Sequence, residues 1–240
     1  MTQRRRLEQT VAVVRLRYGP AALKKASSTP QAPLLPTGLP ALDSVLGGGL
    51  PRGKCHELVG YGTAGHLTAA ANILAQAQKL GQTVAYLDLG SSIDPELLVR
   101  RGVHLDRLVV LRPDSFRQAL AMMGDLLRAD LLVVAAFDRL QLPALLSDRD
   151  AIHSLQLALR QWIALLARSE STIVFLTELL TPVVRPLGLP LANLAHVRLL
   201  FEHRTWLYRA KQICGFETSV TVLKHKSGRA GQQISLRFLI

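Results

Sequence analysis

Apolar and polar positions change rhythm along the chain. Residues 4–18 place Leu7, Val11, Val14 and Tyr18 at helical spacing, which predicts a short helix. Residues 26–36 (ASSTPQAPLLP) break that rhythm. Proline fixes φ and lacks the N–H a helix needs, so this stretch reads as an extended linker. From residue 37 onward, continuous apolar runs alternate with amphipathic ones. Thr37 is placed to cap a helix over 39–46, which Gly47, Gly48 and Gly49 end. Strands are predicted over 55–59, 83–87, 108–111, 131–136 and 172–177, with helices over 66–80, 95–101, 116–128 and 153–168 between them. Ser115 and Gln118 form a capping box for the third of these helices. The fourth turns Leu155, Leu159, Trp162, Ile163 and Leu166 inward. After residue 196 the rhythm becomes that of short strands, over 197–201, 206–209, 219–223 and 234–239. Apolar strands alternating with helices predict an α/β fold whose mostly parallel sheet is covered on both faces. The last strands add an antiparallel extension, and the first helix precedes it all.

Charge sharpens this picture. The net charge of +12 is divided between the ends: residues 1–25 and 196–240 each carry an excess of six positive charges, while the middle is balanced. Two basic ends on a neutral core point to a polyanion or an acidic protein as partner. No apolar run has membrane-spanning length, and the N-terminus lacks a signal-peptide core, so a cytoplasmic location is expected. Cys55 and Cys214 are isolated, and the seven histidines show no metal-ligand spacing; His196 and His203 read as ordinary. Trp162 and Trp206 read as core residues, and Tyr208 beside Arg209 as a minor nucleic-acid candidate.

The glycine-rich turn Gly60-Tyr61-Gly62-Thr63-Ala64-Gly65-His66-Leu67-Thr68 lies between a strand and a helix, where a phosphate-binding loop belongs. Gly60 and Gly65 have the required spacing. His66 replaces the lysine that grips β- and γ-phosphates, Leu67 replaces the metal-binding hydroxyl, and Thr68 is one place late. The amides of the loop and the helix N-terminus retain the means to bind an anion. The reading preferred on these residues is a turn kept for its backbone, with no cofactor and ATP binding not expected.

The order of segments is recognisable. LPTGLPALDSVLGGGLPRGKCHELVGYGTAG, then VAYLDLGSSIDPELLVRRGVHLDRLVVLRPDSFRQAL, then GFETSVTVLKHKSGRAGQQISLRFLI resemble the RecA recombinase core over residues 34–240. The basic helix resembles that family's N-terminal helix, which packs on a neighbouring subunit. The resemblance implies three units: residues 1–25, the linker 26–36 and the core 37–240. It also implies roles for positions that differ here. Gly90 stands where a glutamate activates water, Ala135 where an aspartate holds Mg²⁺ (Asp138 is three residues on), and Thr177-Glu178 where the sensor pair is Asn-Gln. Phosphoryl transfer needs those groups, so hydrolysis is expected to be lost and the chain not to be an enzyme. The stretches 141–150 and 179–190, matching the DNA-contacting loops, are short and low in glycine. Lys224 and Lys226 match the family's paired lysines.

Length, opening, altered loop and basic tail resemble most the ImuA branch, the accessory proteins of DNA-damage-induced mutagenesis. That resemblance implies a cytoplasmic adaptor in translesion synthesis whose partners are a Y-family polymerase-like protein, RecA and DNA, with Arg4, Arg5, Arg6, Lys224, Lys226 and Arg229 as contacts. A RecA-type paralogue with a divergent ATP site built on Gly60, Gly65, His66 and Thr68, and a regulator of RecA filaments, are the other readings.

Overall fold

The computed structural model describes residues 3–19, 33–89, 93–128, 134–137, 149–179, 190–226 and 230–240. It divides into two compact units, 1–32 and 33–240. In the first, α1 (Gln3–Tyr18) has no acidic residue in its first turn, while Arg15 and Arg17 suit the partial negative charge of its last turn. Leu7, Val13, Leu16 and Tyr18 are exposed. Most of the expected linker lies outside the described residues.

The second unit opens with β1 (Leu34–Leu35), α2 (Pro40–Leu46) and β2 (Leu50–Pro51). Thr37 acts differently from the cap expected of it. Its hydroxyl accepts the Leu39 N–H and donates to Asp43, and Pro40 starts the helix without a side-chain cap. Gly47 ends α2 in the left-handed conformation, φ 79°, as the glycine run predicts.

The alternation that follows is β3 (Cys55–Gly60), α3 (His66–Lys79), β4 (Val84–Leu87), α4 (Pro95–Arg100), β5 (Leu108–Leu111), α5 (Phe116–Arg128), β6 (Val134–Phe137), α6 (Arg149–Leu166), β7 (Thr172–Glu178) and α7 (Pro190–Leu194). The Ser115 hydroxyl accepts the Gln118 N–H, and the Gln118 side chain reaches back to the Asp114 N–H, one residue before the partner of an ideal capping box. On α6, Leu155, Leu159, Trp162 and Leu166 are buried, whereas Ile163 is exposed, against expectation. It sits one residue past Trp162, rotated off the buried stripe.

The eight-stranded sheet runs β10-β9-β8-β3-β7-β6-β4-β5, where β8 is Val197–Arg209, β9 Gln212–His225 and β10 Gln233–Leu239. From β8 through β5 all neighbours are parallel; β8-β9 and β9-β10 are antiparallel. The expected strands 197–201 and 206–209 are one strand, because a bulge between His203 and Thr205 carries the pairing through the polar triplet His203-Arg204-Thr205. One face of the sheet packs on α2, α3 and α4 through Leu42, Leu74 and Leu98, the other on α5, α6 and α7 through Met123, Trp162 and Leu191. This is an α/β fold with a mixed sheet covered on both faces, an N-terminal helix and a C-terminal antiparallel extension. No helix among the described residues is long and apolar enough to cross a membrane.

Candidate functional site

All six residues of β3 are buried, so the strand fixes where the turn after it begins. That turn has no slack at two of its glycines. A Cβ on Gly60 would lie 2.0 Å from His66 Nδ1, and one on Gly65 would lie 2.7 Å from the Phe238 ring. Gly65 also sits at φ 90°, a conformation in which any other residue is strained. His66 therefore does not extend as a lysine would: its ring lies against Gly60 and is 2% exposed. Thr68 is buried behind it. Gly65 gives α3 no side-chain cap, so the amides of its first turn face the space before the helix.

That space is a cleft of about 500 Å³. Its floor is Gly62, Thr63, Gly65, His66, Leu67 and Thr68; one wall is Asp94, Leu97, Arg100 and Arg101; Glu178, Phe216 and Ile240 close the remainder. The four expected residues are thus accounted for: Gly65, His66 and Thr68 line the cleft, and Gly60 underlies His66. Asp94 caps α4 by accepting the Glu96 and Leu97 N–H groups. Arg100 pairs with Glu96 at 2.7 Å. Arg101 donates to the Leu239 carbonyl and lies over the Phe238 ring; burial and then neighbouring Arg100 lower its pKa. Two cations and two carboxylates thus share one cleft beside a helix N-terminus, whose first-turn amides can receive an anion.

Further positions are settled by the strands. Asp88 follows β4, is buried, and faces Arg112 at 3.5 Å. Ala135 lies in β6 between Ala85 and Ile173. Thr177 and Glu178 point to opposite faces of β7: the Thr177 hydroxyl donates to Glu57 Oε1 at 2.8 Å, and Glu178 reaches the cleft. Glu57, fully buried, also accepts from Arg198 across the β3-β8 pair. Gly90, Asp138, Arg229 and most of 141–150 and 179–190 lie outside the described residues.

The basic candidates fall in both units. Arg5 and Arg6 are exposed on the first turns of α1. Arg4 shares that segment, with its side chain outside the described set. Lys224 is tied down: its Nζ donates to the carbonyls of Ala192 and Asn193 at 3.0 and 2.7 Å, and burial together with Lys226 and Arg198 lowers its pKa. Lys226 is exposed.

A second cluster was not foreseen. At the start of β3, His56 is fully buried, with Nε2 2.9 Å from the Pro51 carbonyl. His196 lies between His56 and His225, at ring-centroid distances of 6.2 and 6.0 Å. Desolvation, above all, pulls the His56 pKa down to about 3 and that of His196 to about 4, with Lys54 adding to both and Lys226 and Lys224 to the latter. No group of three or more His, Cys, Asp or Glu among the described residues could hold a metal ion.

Residues 5–239 match the family described as RecA N-terminal domain. The chain is 31% identical to Protein RecA of Streptomyces avermitilis over 92% of its own length, and spans 64% of that relative. It is 30% identical to Protein RecA of Caldanaerobacter subterraneus, covering 92% of this chain and 70% of the relative, and 30% identical to Protein RecA of Acidothermus cellulolyticus, covering 97% and 74%. These relatives overturn the expectation that the chain is not an enzyme. They carry the name of an ATPase family, and the match runs through the whole nucleotide-loop region. The physical reason is visible in the cleft. Absence of a lysine at position 66 does not remove positive charge from the site, because Arg100 and Arg101 stand on its wall.

Proposed function

The chain belongs to the RecA N-terminal domain family, and from that premise we propose that it is a RecA-type adaptor of DNA-damage-induced mutagenesis, which joins a Y-family polymerase-like protein, RecA and DNA. The observation that carries this reading is α1. It is basic, and it presents Leu7, Leu16 and Tyr18 to solvent, Leu16 with 91% of its surface exposed. A 16-residue helix is marginal in water by itself and gains stability by packing its apolar residues. Arginines beside such residues fit an acidic protein groove, while Arg5, Arg6 and Lys226 supply salt-dependent contacts to DNA phosphate.

The test is capture of purified polymerase-like and RecA partners by the intact chain and by Leu16→Asp. Loss of capture with an unchanged unfolding midpoint is expected. Equal capture by both proteins would remove α1 from the reading and the reading with it.

A second reading, a RecA-type paralogue with a divergent ATP site, is favoured by the cleft beside Gly65. Mg²⁺-ATP binding and turnover, with and without single-stranded DNA, test it. Turnover lost in His66→Ala or Thr68→Ala assigns the cleft to ATP; no binding and no turnover rejects that reading.

A further inference from the structure

The turn before α3 and the end of α4 are both fastened to the C-terminal strands. Thr218 on β9 donates its hydroxyl to the Ala64 carbonyl at 2.7 Å. One residue on, Gly65 lies against two rings: a Cβ there would come within 3.0 Å of Phe216 and 2.7 Å of Phe238. Those rings pack on each other, with centroids 5.3 Å apart. The third fastening is Arg101, the residue after α4. Its guanidinium lies over the Phe238 ring, 5.9 Å from the centroid, and Nη2 donates to the Leu239 carbonyl. Leu239 and Ile240 are 65% and 62% exposed, so the end of β10 buries little of its own surface. Its pairing with β9, which ends where the Ile240 N–H meets the Cys214 carbonyl at 3.0 Å, and the Arg101 contact hold it in place.

The two cations of the cleft are not equivalent. Arg100 has a carboxylate partner in Glu96. Arg101 receives from β10 a neutral carbonyl and a ring face. Its Nε is buried and meets no acceptor among the described residues, and burial and then Arg100 lower its pKa. A guanidinium in that state gains more from an oxyanion than from a carbonyl, because charge-assisted bonds are the stronger ones and its flat fork takes two oxygens at once. The same side chain lines the cleft onto which the first turn of α3 opens. Asp94 and Glu178 line it too, so a compact anion suits it better than a long one.

We infer that Arg101 is a latch shared between the cleft and β10: a compact oxyanion of the phosphate class, taken into the cleft, draws the guanidinium off Phe238 and the Leu239 carbonyl and loosens the end of β10. The inference rests on the cleft receiving an anion and needs neither hydrolysis nor the polymerase-like partner. One donor group with two competing acceptors makes the coupling reciprocal. Whatever weakens the hold of β10 on Arg101 tightens the anion by the same factor.

The experiment titrates the full chain with inorganic pyrophosphate by calorimetry and follows hydrogen exchange of the peptide 233–240 in the same solutions. Saturation is expected to speed exchange of that peptide about 10-fold, as for loss of a hydrogen bond to a charged group. In Arg101→Met the peptide exchanges fast from the start, pyrophosphate changes it no further, and affinity falls about 10- to 100-fold. Phe238→Leu removes the ring under the guanidinium, and binding tightens about 2- to 5-fold, the reciprocal of an exposed cation–π contact. Peptides from β3 stay protected in both variants, which shows that each is folded. Binding with unchanged or slower exchange of 233–240 would sink the latch and leave the cleft as an anion site. Wild-type affinity in Arg101→Met would reduce Arg101 to a structural tie, and weaker binding in Phe238→Leu would remove the competition; either overturns the inference. No binding of pyrophosphate would overturn it together with the anion site.

Discussion

The two ends of β3 bury a histidine each, and for different reasons. At the Gly60 end, His66 is held by shape: its ring occupies the space that a side chain on residue 60 would fill. The cleft above it mixes Arg100 and Arg101 with Asp94 and Glu178. At the Cys55 end, His56 is held by the Pro51 carbonyl and by exclusion of water, and its neighbours are His196, His225 and Lys54. One end sets cations and carboxylates side by side along an open cleft. The other keeps His56 and His196 neutral chiefly because burial excludes water, and their basic neighbours add to it. Between the ends, Glu57 binds β7 and β8 to β3 through Thr177 and Arg198.

The sharpest way to break this division is at Glu57. Glu57→Ala leaves the Arg198 guanidinium, mostly buried, without its carboxylate and is expected to cost about 3–5 kcal/mol in urea unfolding. Adding Arg198→Met recovers much of that loss.

Acid comes next and separates the ends. The folded-state pKa values of His56 and His196 lie below the ordinary 6.5, at about 3 and about 4. The unfolded chain therefore takes up protons first. Stability falls as pH drops below about 6.5 and continues to fall toward about 3. His56 alone accounts for roughly 2 kcal/mol by about pH 5, at ~1.4 kcal/mol per pH unit; half-buried His196 adds less. His225, Lys54, Lys224 and Lys226 surround the pair and oppose its protonation. His56→Gln, whose amide N–H can still meet the Pro51 carbonyl, should flatten this dependence in pH-resolved thermal unfolding. An unchanged slope would place the titration elsewhere.

At the cleft end, Gly60→Ala is expected to cost about 1–3 kcal/mol, as overpacking does. His66→Ala in the same chain should return most of it, and a double-mutant cycle measures that coupling. The smallest effect is at the rim. Asp94→Ala removes the cap of α4 and is expected to lower stability by about 1 kcal/mol, read as a shift in the urea midpoint.

The Gly60 end was legible in the sequence and the Cys55 end was not. A phosphate-loop turn, a Ser115 cap and a Gly47 stop are each signals carried by a few consecutive residues, and each describes local backbone geometry that tertiary packing preserves. The histidine cluster joins positions 56, 196 and 225, brought together only when β3, β8 and β9 pair. Glu57 and Arg198 are likewise partners only across strands. The length of β8 was hidden by His203-Arg204-Thr205, a polar run that looks like a break and is a bulge. Trp206 was read as core because aromatic rings usually are, yet nothing near it in sequence marks where β3 stops covering β8. Loss of hydrolysis was inferred from the altered loop together with Gly90, Ala135 and Thr177-Glu178, whereas the cations of the cleft come from α4 and the residue after it.

The two thiols divide along the same lines as the fold. Cys55 lies in the core, 3% exposed, and burial pushes its pKa up to about 12, so it is closed to alkylating reagents while the chain is folded. Cys214 is half-buried on β9, its Sγ 3.5 Å from the Leu207 carbonyl. A maleimide dye added to the native protein therefore has one address, on the strand opposite Trp206 and Tyr208. The molecule comes with its own reporter on β9, and brief unfolding events announce themselves as the second thiol becoming labelled.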